Sequence, residues 1–221
     1  MENNNYVYTI RNLVERYPIL KGCEESIAHA FNILRDSFHN GGKLLVAGNG
    51  GSCADSEHIV GELMKGFQKR RPIESSLIEK LISIDPIKGK ELGEKIQCGL
   101  PAIALNGHPG LTTAFTNDVE NGGLLAYAQQ VNGYGNKNDV FLGISTSGNS
   151  KNVIYAAIMA KAKGMKVIAL TGQTGGSLKD IADVTIMAPE SETFMVQELH
   201  LPIYHCLCLL LENEFFSNDL M

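Results

Sequence analysis

The sequence predicts an α/β protein of three layers, αβα, built on a five-stranded parallel sheet. Three observations carry that reading. Five short apolar runs, at residues 43–47, 101–105, 140–144, 166–170 and 184–187, lack the polar alternation of half-exposed strands, as strands buried on both faces do. Segments with helical apolar spacing separate them, which calls for crossover connections and a parallel sheet. Three of the runs end in turns of glycine and small polar residues, at 48–52, 145–150 and 171–176. In such sheets ligands sit beyond the carboxyl ends of the strands, where the strand order reverses.

Taken in order, residues 6–17 and 23–39 have helical spacing, the second through Ile27, Ala30, Phe31 and Leu34, and Asn40-Gly41-Gly42 closes it as a C-cap. The first strand, 43–47, runs into Gly48-Asn49-Gly50-Gly51-Ser52 and a helix reaching Phe67. Ser52 and Asp55 suit a capping arrangement at its start. Residues 68–98 change in composition. Lys69-Arg70-Arg71-Pro72 reads as a solvated turn, and 75–83 and 88–96 as two short amphipathic helices around Asp85-Pro86. This stretch is expected to be a helical insertion on the surface of a single domain spanning 1–221. Residues 114–131 are expected to be helical, with Asn117 and Asp118 early in the helix. Further helices are expected before Gly164 and over 193–213, the last containing Pro202, where one backbone hydrogen bond is removed.

Bulk properties exclude several classes of function. With 44% hydrophobic residues in 221, the chain is expected to fold. A net charge of -5 argues against broad binding to nucleic acid or to anionic membranes, so an anionic ligand would have to be drawn by local dipoles. No apolar run approaching the ~20 residues of a membrane span is read from the sequence. The first five residues carry no targeting pattern. Five cysteines, Cys23, Cys53, Cys98, Cys206 and Cys208, are an odd number; reduced thiols in a cytoplasmic protein are expected, with Cys206 and Cys208 filling the core.

The turn at Gly48–Ser52 feeds a helix, a construction that aims backbone N–H groups and a positive dipole end at an anion. It lacks the Lys-Ser/Thr of a P-loop and the third glycine of a dinucleotide fingerprint. By itself it would be a tight structural turn. Ser145, Thr146, Ser147 and Ser150, with Gly148 among them, place four hydroxyls within six residues at a second helix start. Capping needs one or two of them. The surplus points to phosphate oxygens, and a cradle without Lys or Arg suits a sugar monophosphate. His58 and Glu62, four residues apart, share a helix face about one turn past its mouth. Alone they would be an ordinary i,i+4 pair. His200 reads as a satisfied, partly buried residue, and His29, His39 and His108 have no support for a role.

The strings AGNGGSCADSEHIVGEL, GISTSGNSKNVIYAA and VQELHLPIYHCL resemble the bacterial phosphoheptose isomerases of the sugar isomerase (SIS) domain superfamily. The resemblance covers roughly 43–67 and 101–212. It implies a flavodoxin-like sheet, a homotetramer with sites between subunits, bound zinc, and aldose–ketose isomerisation of sedoheptulose 7-phosphate to D-glycero-D-manno-heptose 7-phosphate. It also implies catalytic roles for Glu62 and His205, and a metal set of His58, Glu62, Gln197 and His205. The substrate and its phosphate would meet Asn49, Gly50, Gly51, Ser52, Asn117, Asp118, Ser145, Thr146, Ser147, Ser150 and Gln197. The residue types suit the chemistry: a carboxylate to take a proton from carbon, an imidazole to move protons between oxygens, and N/O donors for zinc. Three features depart from the family pattern: Gly66 stands where an Arg is often found, Phe194 where some members have an acid, and the insertion is long. An alternative reading is a non-catalytic SIS protein that binds a sugar phosphate and regulates a partner such as the replication initiator, as a sister group does.

Overall fold

The structure is a computed structural model that describes residues 4–216; most of the polar N-terminal stretch lies outside them. Five parallel strands, β1 (Leu44–Ala47), β2 (Ala102–Ala104), β3 (Val140–Ser145), β4 (Lys166–Thr171) and β5 (Val184–Met187), form one sheet in the order β2-β1-β3-β4-β5. This is the flavodoxin-like order, whose reversal falls between β1 and β3.

Alternate strand residues feed two cores. Leu44, Val46, Leu142 and Ile144 pack under helices α1 (Asn4–Arg16), α2 (Glu24–His39), α3 (Gly51–Met64) and α9 (Thr193–Phe215), with Ile27, Leu34, Ile59, Leu63 and Ile203. Leu45, Ala47, Phe141 and Val167 face the other way. They meet Val131 of α7 (Gly122–Tyr134) and Val153, Ala156, Ala157 and Ala160 of α8 (Lys151–Ala162). The period-2 pleat therefore gives the expected three layers.

Several local expectations change. A 3₁₀ turn, Pro18–Cys23, links α1 to α2, because Pro18 has no N–H for a continuing helix. The helix expected over 114–131 is two, α6 (Pro109–Asp118) and α7. Asn121 takes a left-handed turn (φ 58°) between them, and Gly122 passes so close to the Phe115 carbonyl that a Cβ would collide. Asn117 and Asp118 thus end a helix instead of opening one. The insertion forms the hairpin α4 (Ser75–Ile84) and α5 (Pro86–Lys95), with the Asp85 side chain capping Ile87 and Lys88. Gly89 and Gly93 let α5 approach Leu81 and Ile78 closely. None of the residues of α4 is buried.

Arg71 does not lie in a solvated turn: it is 1% exposed and paired with Glu212. The 23-residue α9 is long and apolar enough to cross a membrane, contrary to the sequence reading. Of its most apolar window, 56% is buried inside the fold. The five cysteines are free, with Cys23, Cys206 and Cys208 buried.

Candidate active site

Both helix starts that follow β1 and β3 lie on the carboxyl rim, at the reversal of strand order. Gly50 (φ 57°) precedes α3 and Gly148 (φ 67°) lies in the turn before α8. A glycine is needed at each because the left-handed region strains any residue with a Cβ. At Gly148 a Cβ would also strike the Gly175 carbonyl. The two turns are tied by a reciprocal amide pair: Asn49 Nδ2 donates to Asn152 Oδ1 (2.9 Å) and Asn152 Nδ2 to Asn49 Oδ1 (2.8 Å). The third turn braces the second, since Gly172 N donates to Thr146 O (2.9 Å) and Ser177 N to Asn149 Oδ1 (3.0 Å). Tyr127 OH holds the Gly48 carbonyl at 2.7 Å.

The hydroxyls divide into two groups. Ser145 donates to Ser150 Oγ at 2.9 Å, closing the turn internally, whereas Ser147 is exposed and Thr146 half-buried at the rim. Ser52 is not a cap. Gly50 takes that position, and Ser52 is buried in the first turn of α3. Asn117 Nδ2 bonds Asp118 Oδ1 at 2.9 Å, and both residues are exposed at the end of α6. The structure does not place them among the side chains described next.

Two turns into α3, a polar cluster forms against α9. His58 Nε2 is 3.3 Å from Glu62 Oε1, and Lys65 Nζ is 3.2 Å from Glu62 Oε2. The His205 ring stands 5.0 Å from that of His58, edge to face, with Phe67 at 5.3 Å on another side. Tyr204 OH donates to Asp55 Oδ1 (3.2 Å) and lies 2.9 Å from His58 Nδ1. With its one proton given to Asp55, the tyrosine oxygen accepts from His58 Nδ1–H. Nε2 then faces Glu62 Oε1, to which it donates when the ring carries its second proton, and it offers a lone pair only when the ring is neutral. Burial lowers the His205 pKa, the charge of His58 lowers it further, and Glu62 opposes both. Burial raises that of Asp55, against the Tyr204 bond and His58. His205 also lines an open groove of about 620 Å³ between α1 and α9.

Gln197 is placed elsewhere. It lies eight residues before His205, about 12 Å along a helix. Its amide packs on Gly51, where a Cβ would come within 2.6 Å of Nε2. Pro202 lies inside α9 without bringing Gln197 and His205 to one point. His200 is fully buried, with Nε2 3.1 Å from Thr171 O and Nδ1 unpartnered, so it is only half satisfied.

The donor set suits zinc in its chemistry. His58 Nε2 offers a lone pair beside a carboxylate, and His205 Nε2 is buried with no hydrogen-bond partner. Two imidazole nitrogens and a carboxylate oxygen suit that ion. As the side chains stand, the described residues form no ready group of three or more His, Cys, Asp or Glu for a metal. The set fits in kind, and its rings would have to converge.

Sequence reasoning read Asp55 only as part of a helix cap and Arg71 only as a turn residue, and gave no role to Tyr204, Asn152 or Glu212. Asp55 was findable, being one helical turn from His58; the others meet the site only through long-range packing.

Comparison with known proteins places this fold and rim in a class. The SIS domain family matches residues 5–87 and 91–172. The phosphoheptose isomerase of Leptospira biflexa is 40% identical over 201 residues, 91% of this chain and 90% of that protein. That of Burkholderia pseudomallei is 34% identical over 225 residues, 99% of this chain and all of the relative. Solved phosphoheptose isomerases from Francisella tularensis and Neisseria gonorrhoeae superpose with TM-scores of 0.73 and 0.70. Both are 30% identical and cover 95% of this chain and 96% of theirs. The chain belongs to the phosphoheptose isomerase family of SIS-domain proteins.

Proposed function

We propose that this chain is a phosphosugar isomerase converting sedoheptulose 7-phosphate to D-glycero-D-manno-heptose 7-phosphate through an enediol or enediolate. The observation that carries the reading is the single cluster of Glu62 and His205, set below a neutral rim of glycine and hydroxyl residues. The phosphate is held by Gly50, Gly51, Ser52, Thr146 and Ser147, with Ser145 and Ser150 shaping the turn, and Asn49 meets the sugar. The N-termini of α3 and α8 supply the attraction that the chain's net charge of -5 does not.

Isomerisation moves one hydrogen from C1 to C2 and one from O1 to O2, with no net redox change. Glu62 takes the C1 proton and returns it to C2. His205, whose lowered pKa keeps it neutral near pH 7, accepts the O1 proton and delivers one to O2. His58, Glu62 and His205 would hold zinc, with Gln197 joining only if its amide leaves Gly51. When bound, the ion supplies positive charge that steadies the sugar oxygens and offsets negative charge on the enediolate. The chain is proposed to act as one domain, in the cytoplasm, as a homotetramer whose second copy completes the groove beside His205.

The reading predicts conversion of sedoheptulose 7-phosphate by the wild type and loss of at least 100-fold in kcat for Glu62→Gln. Sugar phosphate binding with no turnover in the wild type would favour the non-catalytic binder, which the phosphoheptose isomerase relatives do not support.

A further inference from the structure

The buried ion pair of Arg71 and Glu212 takes no part in the chemistry above, yet it joins the two helices that carry it. The side chains are 0% and 1% exposed. Removing two charges from water is costly, and an apolar pair of similar volume often holds a fold as well. A charged pair at this place therefore points to what its geometry does.

Arg71 reaches Glu212 Oε1 through Nε (3.0 Å) and Nη2 (2.8 Å). Nη1 donates to the Leu63 carbonyl (2.8 Å) and Nη2 to that of Glu62 (3.3 Å). These carbonyls belong to the last turn of α3, which has no amides ahead to bond. The guanidinium caps the helix at the residue that bears the proposed base. Glu212 also accepts from Phe67 N (2.8 Å) and Gln68 N (2.9 Å), on the segment leaving α3. Phe216 lies 4.3 Å from the guanidinium on another side. Leu100 N, two residues before β2, adds one bond to Leu63 O (2.9 Å). On α9, Glu212 lies seven residues beyond His205, about two turns.

We infer that Arg71, through Glu212, is a positioning residue that sets the last turn of α3 against α9 and so fixes the separation of Glu62 from His205. A planar fork meeting two carbonyls and a carboxylate sets rotation as well as distance, which an apolar contact does not. The inference rests on Glu62 and His205 being the reacting pair.

The test uses the full-length chain in four variants: Glu62→Gln, Arg71→Lys, Arg71→Met, and Arg71→Met with Glu212→Met. Thermal unfolding and steady-state isomerisation of sedoheptulose 7-phosphate are measured on each. Arg71→Met alone strands a buried carboxylate and is expected to be the least stable. The double variant leaves no buried charge but strands the Phe67 and Gln68 amides, so it is expected to melt below wild type and above Arg71→Met. Its kcat should be at least tenfold lower and its KM within about twofold, because the phosphate turns are untouched. A folded double variant with wild-type kcat, or a loss lying wholly in KM, overturns the inference. If the double variant does not fold, Arg71→Lys decides: it keeps the charge and loses the fork. Wild-type kcat in it overturns the inference, and a tenfold loss at unchanged melting temperature supports it. Glu62→Gln turning over like wild type would overturn the reaction assignment and the positioning inference together. An inactive Glu62→Gln beside a fully active double variant would overturn the positioning inference alone.

Discussion

Tyr204 OH stands 2.9 Å from Nδ1 of His58 and orients the imidazole by giving its own proton to Asp55. The residue next to His205 on α9 thereby holds the Nδ1 side of a histidine on α3, with Nε2 turned to Glu62.

Tyr204→Phe keeps the ring and deletes that relay. Asp55 loses a donor in a half-buried place, so the protein is expected to lose about 1–3 kcal/mol of stability. kcat/KM should fall about tenfold. Nitrogen chemical shifts of the His58 ring should change from one dominant tautomer to a mixture. An unchanged tautomer would remove Tyr204 from this role.

Metal content provides a second check. Wild-type protein purified in the presence of zinc, then dialysed, is expected to retain close to one zinc per chain, and His58→Ala to retain much less. Chelation should reduce isomerase activity, with recovery on adding zinc back. Equal zinc in both proteins would exclude His58 from the shell.

Gly148→Ala places a Cβ against the Gly175 carbonyl at a residue with φ 67°. Strain of this kind costs about 1–3 kcal/mol. The turn presenting Thr146 and Ser147 should shift, raising KM for the sugar phosphate more than tenfold with a smaller change in kcat. Steady-state kinetics and a melting curve report both effects.

His200 governs part of the acid stability. Burial pushes its pKa down from 6.5 to about 4, although Nε2–H is bonded to the Thr171 carbonyl. Below pH 6.5 the unfolded chain takes up a proton that the folded chain refuses until about pH 4. The contribution is therefore fully present above 6.5 and lost as pH falls, by about 3 kcal/mol in total. Urea midpoints from pH 7 to pH 4 should drop more steeply for wild type than for His200→Gln. Parallel curves would assign the acid sensitivity elsewhere.

Much of the fold was legible because buried parallel strands need continuous apolar runs and their turns need glycine; both are local demands. The five strands and both rim turns were read on those grounds. The break at Asn121 was not, because it is set by the approach of α7 to α6. Arg71 reads as a surface charge until its carboxylate, 141 residues away, is in place.

The sequence by itself determined the αβα class, the rim with its surplus hydroxyls, and the pairing of His58 with Glu62, since these rest on spacing along one element. The tertiary structure decided that, of the two α9 residues the resemblance grouped with that pair, His205 stands beside it while Gln197 packs against Gly51, and that Tyr204 orients His58. Those relations depend on the axial register of α9 beside α3, which side-chain packing between distant segments sets and no local pattern encodes.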